Sequence, residues 1–378
     1  MILRAKNKTL FESTITEQQQ QNSNLNLLET DKQQVMLTSY PRRIVAELTN
    51  ACNINCIMCG REHADFKPSF FDVRWFKVLE EAFTHTEEIV LHGWGEPTIH
   101  PQFERILRYL NGFPLRKYFC TNGTTLNEIH DMIFDHHVDI IAVSLDGADS
   151  HTNDLIRYGS KISDITTSLK AITNHRQKNN LDYPHVNFVF TAMKRNIDQL
   201  PDMIRLASEI GVTEVKAVYL TSFSENMDRE ALYKERDRVK TIFEKTIELA
   251  KANNIMIKLP YVQGEDPAGT MVHRECFFAY RDLFIGSDGF VRPCVSTSDA
   301  LFDIRQYKDF SEIWNHDSLQ NYRKQVNNIE NMPDGCRRCY HSTCANWNKK
   351  ASFIQTGQLF SPEWKTEKSN QLRKDNTC

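Results

Sequence analysis

Three cysteines, Cys52, Cys56 and Cys59, stand close together in the order C-x3-C-x2-C and directly follow an apolar run, 44–48, that is typical of a buried strand. Thiolates at such short spacings can all face one metal centre. A [4Fe–4S] cube takes four thiolates, one for each iron. Three cysteines without an obvious fourth would therefore leave one iron open to a small molecule.

A zinc site is the alternative for this loop, because His63 follows the three cysteines at a plausible spacing and would complete a Cys3His ligand set. The two centres differ in chemistry, since an iron–sulfur cube can carry an electron and zinc cannot. The choice between them therefore depends on what the rest of the chain provides.

Polar motifs also follow the next three predicted strands, in the same position relative to the strand as the cysteine loop. They are Gly93-Trp94-Gly95-Glu96-Pro97, Thr121-Asn122-Gly123 and Ser144-Leu145-Asp146-Gly147. Glycines let the backbone approach a ligand closely, and the acidic residues offer acceptors at the mouth of a pocket. Because chemistry gathers at the carboxyl ends of strands in parallel β/α folds, we expect these motifs to surround one site.

The cysteine loop and these motifs together resemble the radical S-adenosylmethionine (SAM) superfamily. The segment that ends in Gly95-Glu96-Pro97 is similar to the family's GGEP motif, with Trp94 in the place of the first glycine. The resemblance implies that SAM binds the open iron through its amino and carboxylate groups. One electron from the cluster would then cleave SAM to methionine and a 5′-deoxyadenosyl radical, which abstracts hydrogen from a substrate.

The same resemblance implies a set of SAM contacts. In the family the GGEP segment contacts the amino group of SAM, and Asp146 is suited to ribose hydroxyls. Arg157 resembles an arginine that engages the SAM carboxylate, and Met58 holds the position of a residue that packs near adenine. A simple strand-to-helix turn would explain the glycine and proline of the motif but not Glu96. The predicted SAM-binding residues are Met58, Gly95, Glu96, Pro97, Asn122, Ser144, Asp146 and Arg157.

A second group of cysteines follows residue 260. Its members stand as C-x12-G-x4-C around a predicted hairpin, and then as C-x2-C-x4-C. They are Cys276, Cys294, Cys336, Cys339 and Cys344. This order resembles the SPASM/twitch extension, which holds auxiliary iron–sulfur clusters beside the barrel mouth. With the motifs above, the resemblance covers roughly residues 43–348.

The number of auxiliary clusters can be predicted from a ligand count. The full SPASM pattern holds two clusters, but here the spacing to Cys344 is one residue shorter and Asn348 stands where the next cysteine would be. Two all-cysteine clusters need eight ligands, and only six cysteines follow residue 260. We therefore expect one auxiliary [4Fe–4S] cluster, with Cys344 as a substitute ligand and a zinc knuckle as the alternative. Its expected ligands are Cys276, Cys294, Cys336 and Cys339.

These motifs need elements that hold them at one end of a sheet. From residue 43 onward, apolar strands alternate with helical periodicity, which predicts a parallel sheet with crossover helices. Strands are predicted at 44–48, 88–92, 117–120, 140–145, 185–191, 214–220 and 255–259, and helices at 72–85, 102–111, 126–136, 163–179, 198–210 and 227–253. The six β/α units predict an α/β fold, a partial (β/α)6 TIM-like barrel with a C-terminal SPASM/twitch-like iron–sulfur extension.

The domain organisation is predicted from changes in composition along the chain. Residues 1–38 are polar and include a glutamine-rich run, which predicts a flexible or loosely packed arm with a small helix around 25–37. The partial barrel is expected at 39–260, the auxiliary cluster domain at 261–348 and a C-terminal tail at 349–378.

Composition excludes several classes of partner. The chain has 378 residues, 40% hydrophobic and 25% charged, with a formal net charge of −3. This charge gives no electrostatic case for nucleic acid or an anionic membrane, and no apolar run is long enough to span a bilayer. The N-terminus lacks a signal-peptide core, so the ten cysteines indicate metal ligands in a reducing cytoplasm rather than disulfides.

The resemblance implies a radical SAM enzyme, and one auxiliary cluster favours the oxidation or dehydrogenation of a small molecule. The expected electron donor is a flavodoxin or a ferredoxin. A peptide-modifying enzyme is the alternative, although the N-terminal arm is too short for the leader-peptide domain that many of these enzymes carry. Sulfatase maturation is disfavoured, because Val295 follows Cys294 where those enzymes have an aspartate. A non-catalytic iron–sulfur or zinc protein would not need the SAM motifs, and no general base can be assigned.

Overall fold

The computed structural model describes residues 15–63, 67–221, 225–232, 234–260, 262, 276–294, 299–328, 330–333, 336 and 353–355. Their strands form a large sheet and one small pair. The strands are β1 (Arg43–Ala46), β2 (Asn55–Cys56), β3 (Glu88–Val90), β4 (Arg116–Thr121), β5 (Ile140–Ser144), β6 (Arg157–Tyr158), β7 (His185–Ala192), β8 (Glu214–Tyr219), β9 (Met256–Pro260), β10 (Asp282–Ile285), β11 (Phe290–Arg292), β12 (Phe302–Asp303) and β13 (Phe353–Gln355).

The large sheet has the order β12-β11-β10-β1-β3-β4-β5-β7-β8-β9-β13. All pairs from β10 through β1 to β9 are parallel, and β11, β12 and β13 add antiparallel edges. The seven predicted strands stand in sequence order from β1 to β9 in this run, which confirms the predicted parallel β/α core. Residues of β10 and of β8 line the same cavity although these strands lie far apart in the sheet order, so the sheet curls into a partial barrel.

Strand β10 extends the barrel beyond the predicted units. It lies in the segment expected to form the auxiliary cluster domain, yet it pairs in parallel with β1, with Arg43 opposite Asp282 and Ala46 opposite Ile285. The predicted hairpin is present, because β10 turns through a glycine with positive φ, Gly289, into the antiparallel β11. The C-terminal extension is therefore built directly onto the edge of the barrel sheet.

The helices are α1 (Glu17–Asp31), α2 (Glu80–Phe83), α3 (Phe103–Leu110), α4 (His130–Asp135), α5 (Ser150–Ile156), α6 (Ile162–Lys178), α7 (Leu200–Ile210), α8 (Glu225–Asp228), α9 (Arg236–Ala252), α10 (Phe278–Arg281), α11 (Phe310–Trp314) and α12 (Asp317–Gln325). Three predicted helices differ in detail, and the one expected at 126–136 is limited to α4. The helix expected at 72–85 begins as a 3₁₀ helix, Val73–Leu79, whose first turn is capped by Asp72, and only then becomes α2. The stretch at 227–253 is divided between α8 and α9.

Helix α1 corrects the prediction of a loosely packed arm for the part of the arm that the structure describes. Its buried face is polar, so the sequence showed no apolar stripe that would predict packing. The buried amides instead bind backbone carbonyls of the barrel. Gln19 donates to Thr86 and Pro114, and Asn26 donates to Tyr280, all within 2.7 Å. A buried polar group that is fully hydrogen-bonded can hold an element in place without hydrophobic contact.

Apolar residues pack on both sides of the sheet. The larger cluster joins the outer faces of the strands to the helices, and a smaller one inside the barrel includes Val45, Val90, Tyr118 and Phe284. None of the helices that the structure describes combines the length and apolar character needed to cross a bilayer.

Candidate active site

The cysteine loop after β1 is held by a second segment of the chain. Within the loop, β2 pairs with β6, which places Cys56 opposite Arg157, and the Ile57 N–H donates to the Ile156 carbonyl at 2.9 Å. The Cys59 N–H donates to the Cys56 carbonyl at 3.1 Å and closes a turn between these two ligand candidates. The loop therefore depends on the 156–158 segment for its shape.

The three thiols of this loop lie within electrostatic reach of one another. Burial raises the pKa of Cys56 to about 11, and the thiols of Cys59 and Cys52 add to this rise while the Arg157 guanidinium opposes it. Two side-chain N–H groups point at sulfurs, since Arg157 Nη1 lies 3.6 Å from Cys56 Sγ and Asn122 Nδ2 lies 3.8 Å from Cys52 Sγ. Such donors stabilise thiolates and tune clusters, so the donor set fits an iron–sulfur cluster.

The zinc alternative requires His63, whose side chain lies outside the part of the structure that is described. Within the described residues, no three His, Cys, Asp or Glu side chains converge in the way that one metal ion requires. A four-iron cube takes one thiolate at each of its irons and so spreads its ligands apart.

A buried ion pair joins the end of β5 to the cysteine loop. The Asp146 side chain is fully buried, and its Oδ2 lies 2.7 Å from Arg157 Nε. Its Oδ1 accepts from the Thr191 N–H at 2.6 Å, and the Asn196 amide donates to the Asp146 carbonyl at 2.9 Å. Burial raises the pKa of Asp146, and the charge of Arg157 opposes this rise. The structure thus pairs Asp146 with Arg157, which were predicted separately as contacts of the SAM ribose and of the SAM carboxylate.

Glu96 is occupied by protein donors in this structure. Its Oε1 accepts from the hydroxyls of Thr98 and Thr121 at 2.6 and 2.8 Å, and its Oε2 accepts from the Asn122 N–H at 2.6 Å. The residue is 2% exposed, and burial raises its pKa. Glu96 therefore fixes the turn after β4 and, through Asn122, the donor that faces Cys52. A direct contact of Glu96 with SAM stays a prediction.

Gly95 is required by the close approach of two backbones. A Cβ at this position would lie 2.2 Å from the Ala51 carbonyl oxygen and 2.5 Å from that of Thr49. The Glu96 N–H also donates to the Ala51 carbonyl at 2.8 Å. The glycine thus packs the motif against the segment that leads into the cysteine loop, and Pro97 begins the short 3₁₀ turn that follows.

Replacing Gly95 with alanine should therefore displace the cysteine loop, because backbone atoms cannot yield as a flexible side chain can. We expect a loss of about 1–3 kcal/mol in the free energy of unfolding, the usual cost of overpacking, together with lower iron content after reconstitution. Gly112→Ala is the matched control, since its Cβ would meet only the Tyr109 carbonyl at an ordinary 3.5 Å. Urea titration should separate the two variants, and equal stabilities would contradict the packing argument.

Glu47 organises two of these turns and was not among the predicted site residues. Its Oε1 accepts from the Trp94 N–H at 2.7 Å, and its Oε2 accepts from the N–H and hydroxyl of Ser287 at 3.1 and 3.0 Å. Glu47 thereby ties the glycine motif after β3 to the hairpin after β10. The available signal was an acidic residue at the end of an otherwise apolar strand.

A cavity of about 390 Å³ lies inside the barrel beside the cysteine loop. Met58, Cys59 and Cys294 are among its lining residues, so each cysteine group contributes one residue to its wall. Cys120 is also on this wall, and its Sγ lies 3.3 Å from the Ser144 hydroxyl. Space for a small molecule therefore connects the two groups of cysteines.

The C-terminal cysteines that the structure describes gather around Tyr322. Its hydroxyl lies 3.4 Å from Cys336 Sγ. Burial, and after it the thiols of Cys276, Cys294 and Cys336, hold the pKa of Tyr322 well above its ordinary value. Asn327 accepts from the Cys276 N–H at 2.7 Å and fixes that residue. Three of the four predicted auxiliary ligands are thus close together, and the predictions for Cys339 and Cys344 fall outside the described residues.

Comparison with protein families gives two matches. The model described as the radical SAM superfamily matches residues 46–236, which is half of the chain and contains every motif around the cavity from Cys52 to Arg157. The model described as an iron–sulfur cluster-binding domain, SPASM, matches residues 276–340.

Individual relatives are distant but extend along most of the chain. The AdoMet-dependent heme synthase of Methanosarcina barkeri is 26% identical over 361 residues, covering 87% of this chain and 97% of the relative. A tungsten-containing aldehyde ferredoxin oxidoreductase cofactor-modifying protein of Pyrococcus furiosus is 27% identical, covering 66% and 69%. The PqqA peptide cyclase of Gluconobacter oxydans is 24% identical, covering 80% and 84%.

Solved structures show the same fold. Streptococcus suis SuiB bound to S-adenosylmethionine has a TM-score of 0.60 at 14% identity, covering 80% of this chain and 71% of that one. The protein anSMEcpe with bound AdoMet has a TM-score of 0.59 at 15% identity, covering 89% and 93%.

Proposed function

The chain belongs to the radical SAM superfamily, and from this premise we propose that it oxidises a small molecule by hydrogen abstraction inside the barrel cavity. As a SPASM-type member of that family it is an enzyme that binds a [4Fe–4S] cluster, SAM and auxiliary iron–sulfur. The observation that carries the proposed reaction is the cavity itself, because Cys59 of the barrel group and Cys294 of the C-terminal group both line it. A substrate there would lie between a radical source and an electron acceptor.

The two cysteine groups have separate roles in this proposal. Cys52, Cys56 and Cys59 would hold the SAM-binding cluster, with the N–H donors of Arg157 and Asn122 directed at its sulfur ligands. When bound, this cluster and SAM supply the radical that abstracts hydrogen, and an auxiliary cluster supplies an acceptor for the electron left on the substrate.

One auxiliary cluster remains the better account of the C-terminal cysteines. The SPASM match over 276–340 contains four cysteines, as many as one all-cysteine [4Fe–4S] cluster requires. They are Cys276, Cys294, Cys336 and Cys339. Three of them already surround Tyr322, which supports a shared site.

The chain's own residues would shape the reaction in three ways. The pair of Asp146 and Arg157 would fix the cysteine loop against the end of β5. The apolar wall formed by Val45, Val90 and Val189 would keep bulk water from the reacting atoms. The predicted SAM contacts, including Met58 on the cavity wall, would orient the cleaved bond toward the cavity.

Modification of a peptide is the second candidate function. The PqqA peptide cyclase aligns with 80% of this chain, and SuiB, which shares the fold, has been solved with its precursor peptide SuiA. A peptide would have to place one residue in the cavity.

For both candidate functions we propose a small electron-transfer protein, a flavodoxin or a ferredoxin, as the source of the reducing electron. The protein would work in a reducing cytoplasm.

The proposal predicts that replacing Cys276 and Cys294 together with alanine will lower the iron content by about half, from roughly eight irons per chain. Cleavage of SAM without substrate should persist, because the barrel cluster uses other ligands. Oxidation of the substrate should stop, because its last electron has no acceptor.

Iron content, melting temperature and product formation on the same variant distinguish this role from a structural one. A purely structural cluster would lower the melting temperature, since metal binding there would be coupled to folding. Full product formation by a well-folded double variant would contradict the electron-accepting role.

A further inference from the structure

Two polar rings on the inner face of the barrel have no role in the reaction as proposed so far. His92 follows β3 and Tyr118 lies in the neighbouring β4, and both line the cavity. Strands β3 and β4 pair with Val90 opposite Tyr118, and side chains two residues apart share one face of a strand. The two rings therefore meet edge to face inside the barrel, with 5.2 Å between their centroids.

We propose that His92 and Tyr118 bind an uncharged oxygen atom of the substrate, so that the molecule oxidised in this cavity has a carbonyl or hydroxyl oxygen on an apolar body. The apolar body fits the rest of the wall, which includes Val45, Val90, Val189, Val218 and Phe284. This inference rests on the proposed function, because it names the class of molecule that would react at the same site.

His92 is a hydrogen-bond donor toward the cavity. Its Nδ1 accepts from the Cys120 N–H at 3.0 Å, so the proton of the neutral ring is on Nε2. Burial, followed by the charges of Arg43 and Lys216, lowers the pKa of His92 to about 3, and the ring is therefore neutral at physiological pH. Among the described residues no group accepts from Nε2, so this N–H is available to a ligand.

Tyr118 adds a second neutral donor. The residue is 3% exposed, and its hydroxyl has no hydrogen-bond partner in the part of the chain that the structure describes. Burial, followed by the Cys120 thiol and the Glu88 carboxylate, holds the pKa of Tyr118 well above its ordinary value, so the hydroxyl keeps its proton. A buried hydroxyl without a hydrogen bond is unfavourable, and an oxygen acceptor in the cavity would remove this cost.

The ionised groups on the cavity wall have partners within the protein. Arg43 forms an ion pair with Asp282, which is on the same wall. Lys216 is likewise engaged within the protein, and the charge of Glu214 favours its ammonium form. A ligand therefore need not bring a charge of its own, and the two rings offer it neutral donors. An uncharged oxygen can accept from them without the large cost of burying an ion.

The test uses the anaerobically reconstituted enzyme with saturating SAM and four eight-carbon probes: octan-2-one, octan-2-ol, octanoate and octylammonium. Calorimetry should show one of the two neutral probes binding at least about fivefold more tightly than either ion, because each ion would be buried without a partner of its own. The tighter of the two neutral probes identifies the oxygen as a carbonyl or a hydroxyl.

Tyr118→Phe removes one donor and no hydrogen bond among the described residues. It should therefore weaken binding of the preferred neutral probe about fivefold, the effect of one neutral hydrogen bond, without lowering the melting temperature. His92→Asn should weaken binding to a similar extent, because an amide oxygen can replace Nδ1 as the acceptor for the Cys120 N–H while the Nε2 donor is lost. Tyr109→Phe is the matched control, since the Tyr109 hydroxyl donates to Glu80 and Tyr109 does not line the cavity. Its affinity for the probe should equal that of the unmodified enzyme.

Equal or tighter binding of octanoate or octylammonium would overturn the site. So would unchanged affinity for the neutral probe in Tyr118→Phe or His92→Asn, or displacement of that probe by SAM. Iron content shows whether the clusters of each variant are intact. SAM cleavage by the wild-type enzyme tests the proposed function separately, so its success without a preference for a neutral probe would refute only this inference.

Discussion

Replacing Cys52, Cys56 and Cys59 together with alanine is expected to abolish cleavage of SAM. The variant loses the thiolates that hold the SAM-binding cluster, and with them both the electron source and the iron that SAM chelates. The Asn122 and Arg157 donors that face these sulfurs cannot retain a cluster by themselves. Anaerobic reconstitution should leave about four irons, those of the auxiliary site, and no 5′-deoxyadenosine should form under strong reductant.

Cys120→Ala is the control for this experiment, because Cys120 is a barrel thiol that belongs to neither cysteine group and is packed beside Ser144. Its iron content should equal that of the unmodified protein. Formation of 5′-deoxyadenosine by the triple variant would show that the radical chemistry is located elsewhere. Stoichiometric zinc in place of iron in the unmodified protein would restore the zinc alternative.

Arg157→Met is expected to cause the largest loss of stability, about 3–5 kcal/mol, the usual cost of leaving one partner of a buried ion pair without the other. Asp146 is fully buried, and among the described residues Thr191 would be the remaining hydrogen-bond donor to its carboxylate. The loop containing Cys56 would also lose the donor to its sulfur. Iron content should therefore fall together with the free energy of unfolding.

The loss of stability in Arg157→Met should be smaller at low pH than at high pH. Burial already raises the pKa of Asp146, and removing the opposing Arg157 charge raises it further. A carboxyl whose pKa is higher in the folded state than in the unfolded state binds a proton on folding. The deficit in the free energy of unfolding should therefore be smaller at pH 5 than at pH 8, because protonation of Asp146 at low pH removes its buried charge.

Urea titrations at both pH values, under anaerobic conditions, measure this effect. Arg205→Met is the control, since Arg205 forms an exposed ion pair with Asp202 and surface pairs contribute about 1 kcal/mol or less. A similar small loss in both variants would show that the Asp146 pair does not support the fold.

The parts of the fold that could be predicted from the sequence are those in which apolar residues follow a regular pattern along the chain. The strands of the barrel were found within a few residues because alternating or continuous apolar runs have clear ends, as at β5 and β7. The motifs of the site were found because cysteine spacing and glycine-rich turns are local features. The SAM-facing end of the barrel could therefore be predicted without knowledge of long-range contacts.

The parts that sequence did not predict depend on pairing between distant residues. Nothing local indicates that Asp282 lies opposite Arg43 across the β1–β10 pair, or that Glu47 holds Ser287. A helix was predicted at 25–37, but the start of α1 at Glu17 and its packing on the barrel were missed, because its buried face is polar and its amides bind backbone carbonyls elsewhere in the chain.

The central claim is that this chain uses an iron–sulfur cluster to cleave SAM reductively. The most direct measurement is chromatography of SAM, methionine and 5′-deoxyadenosine after the anaerobically reconstituted protein is treated with a strong reductant. Equal amounts of methionine and 5′-deoxyadenosine should appear only when cluster, reductant and SAM are all present. Intact SAM in a preparation that carries its full complement of iron and is fully reduced would contradict the claim.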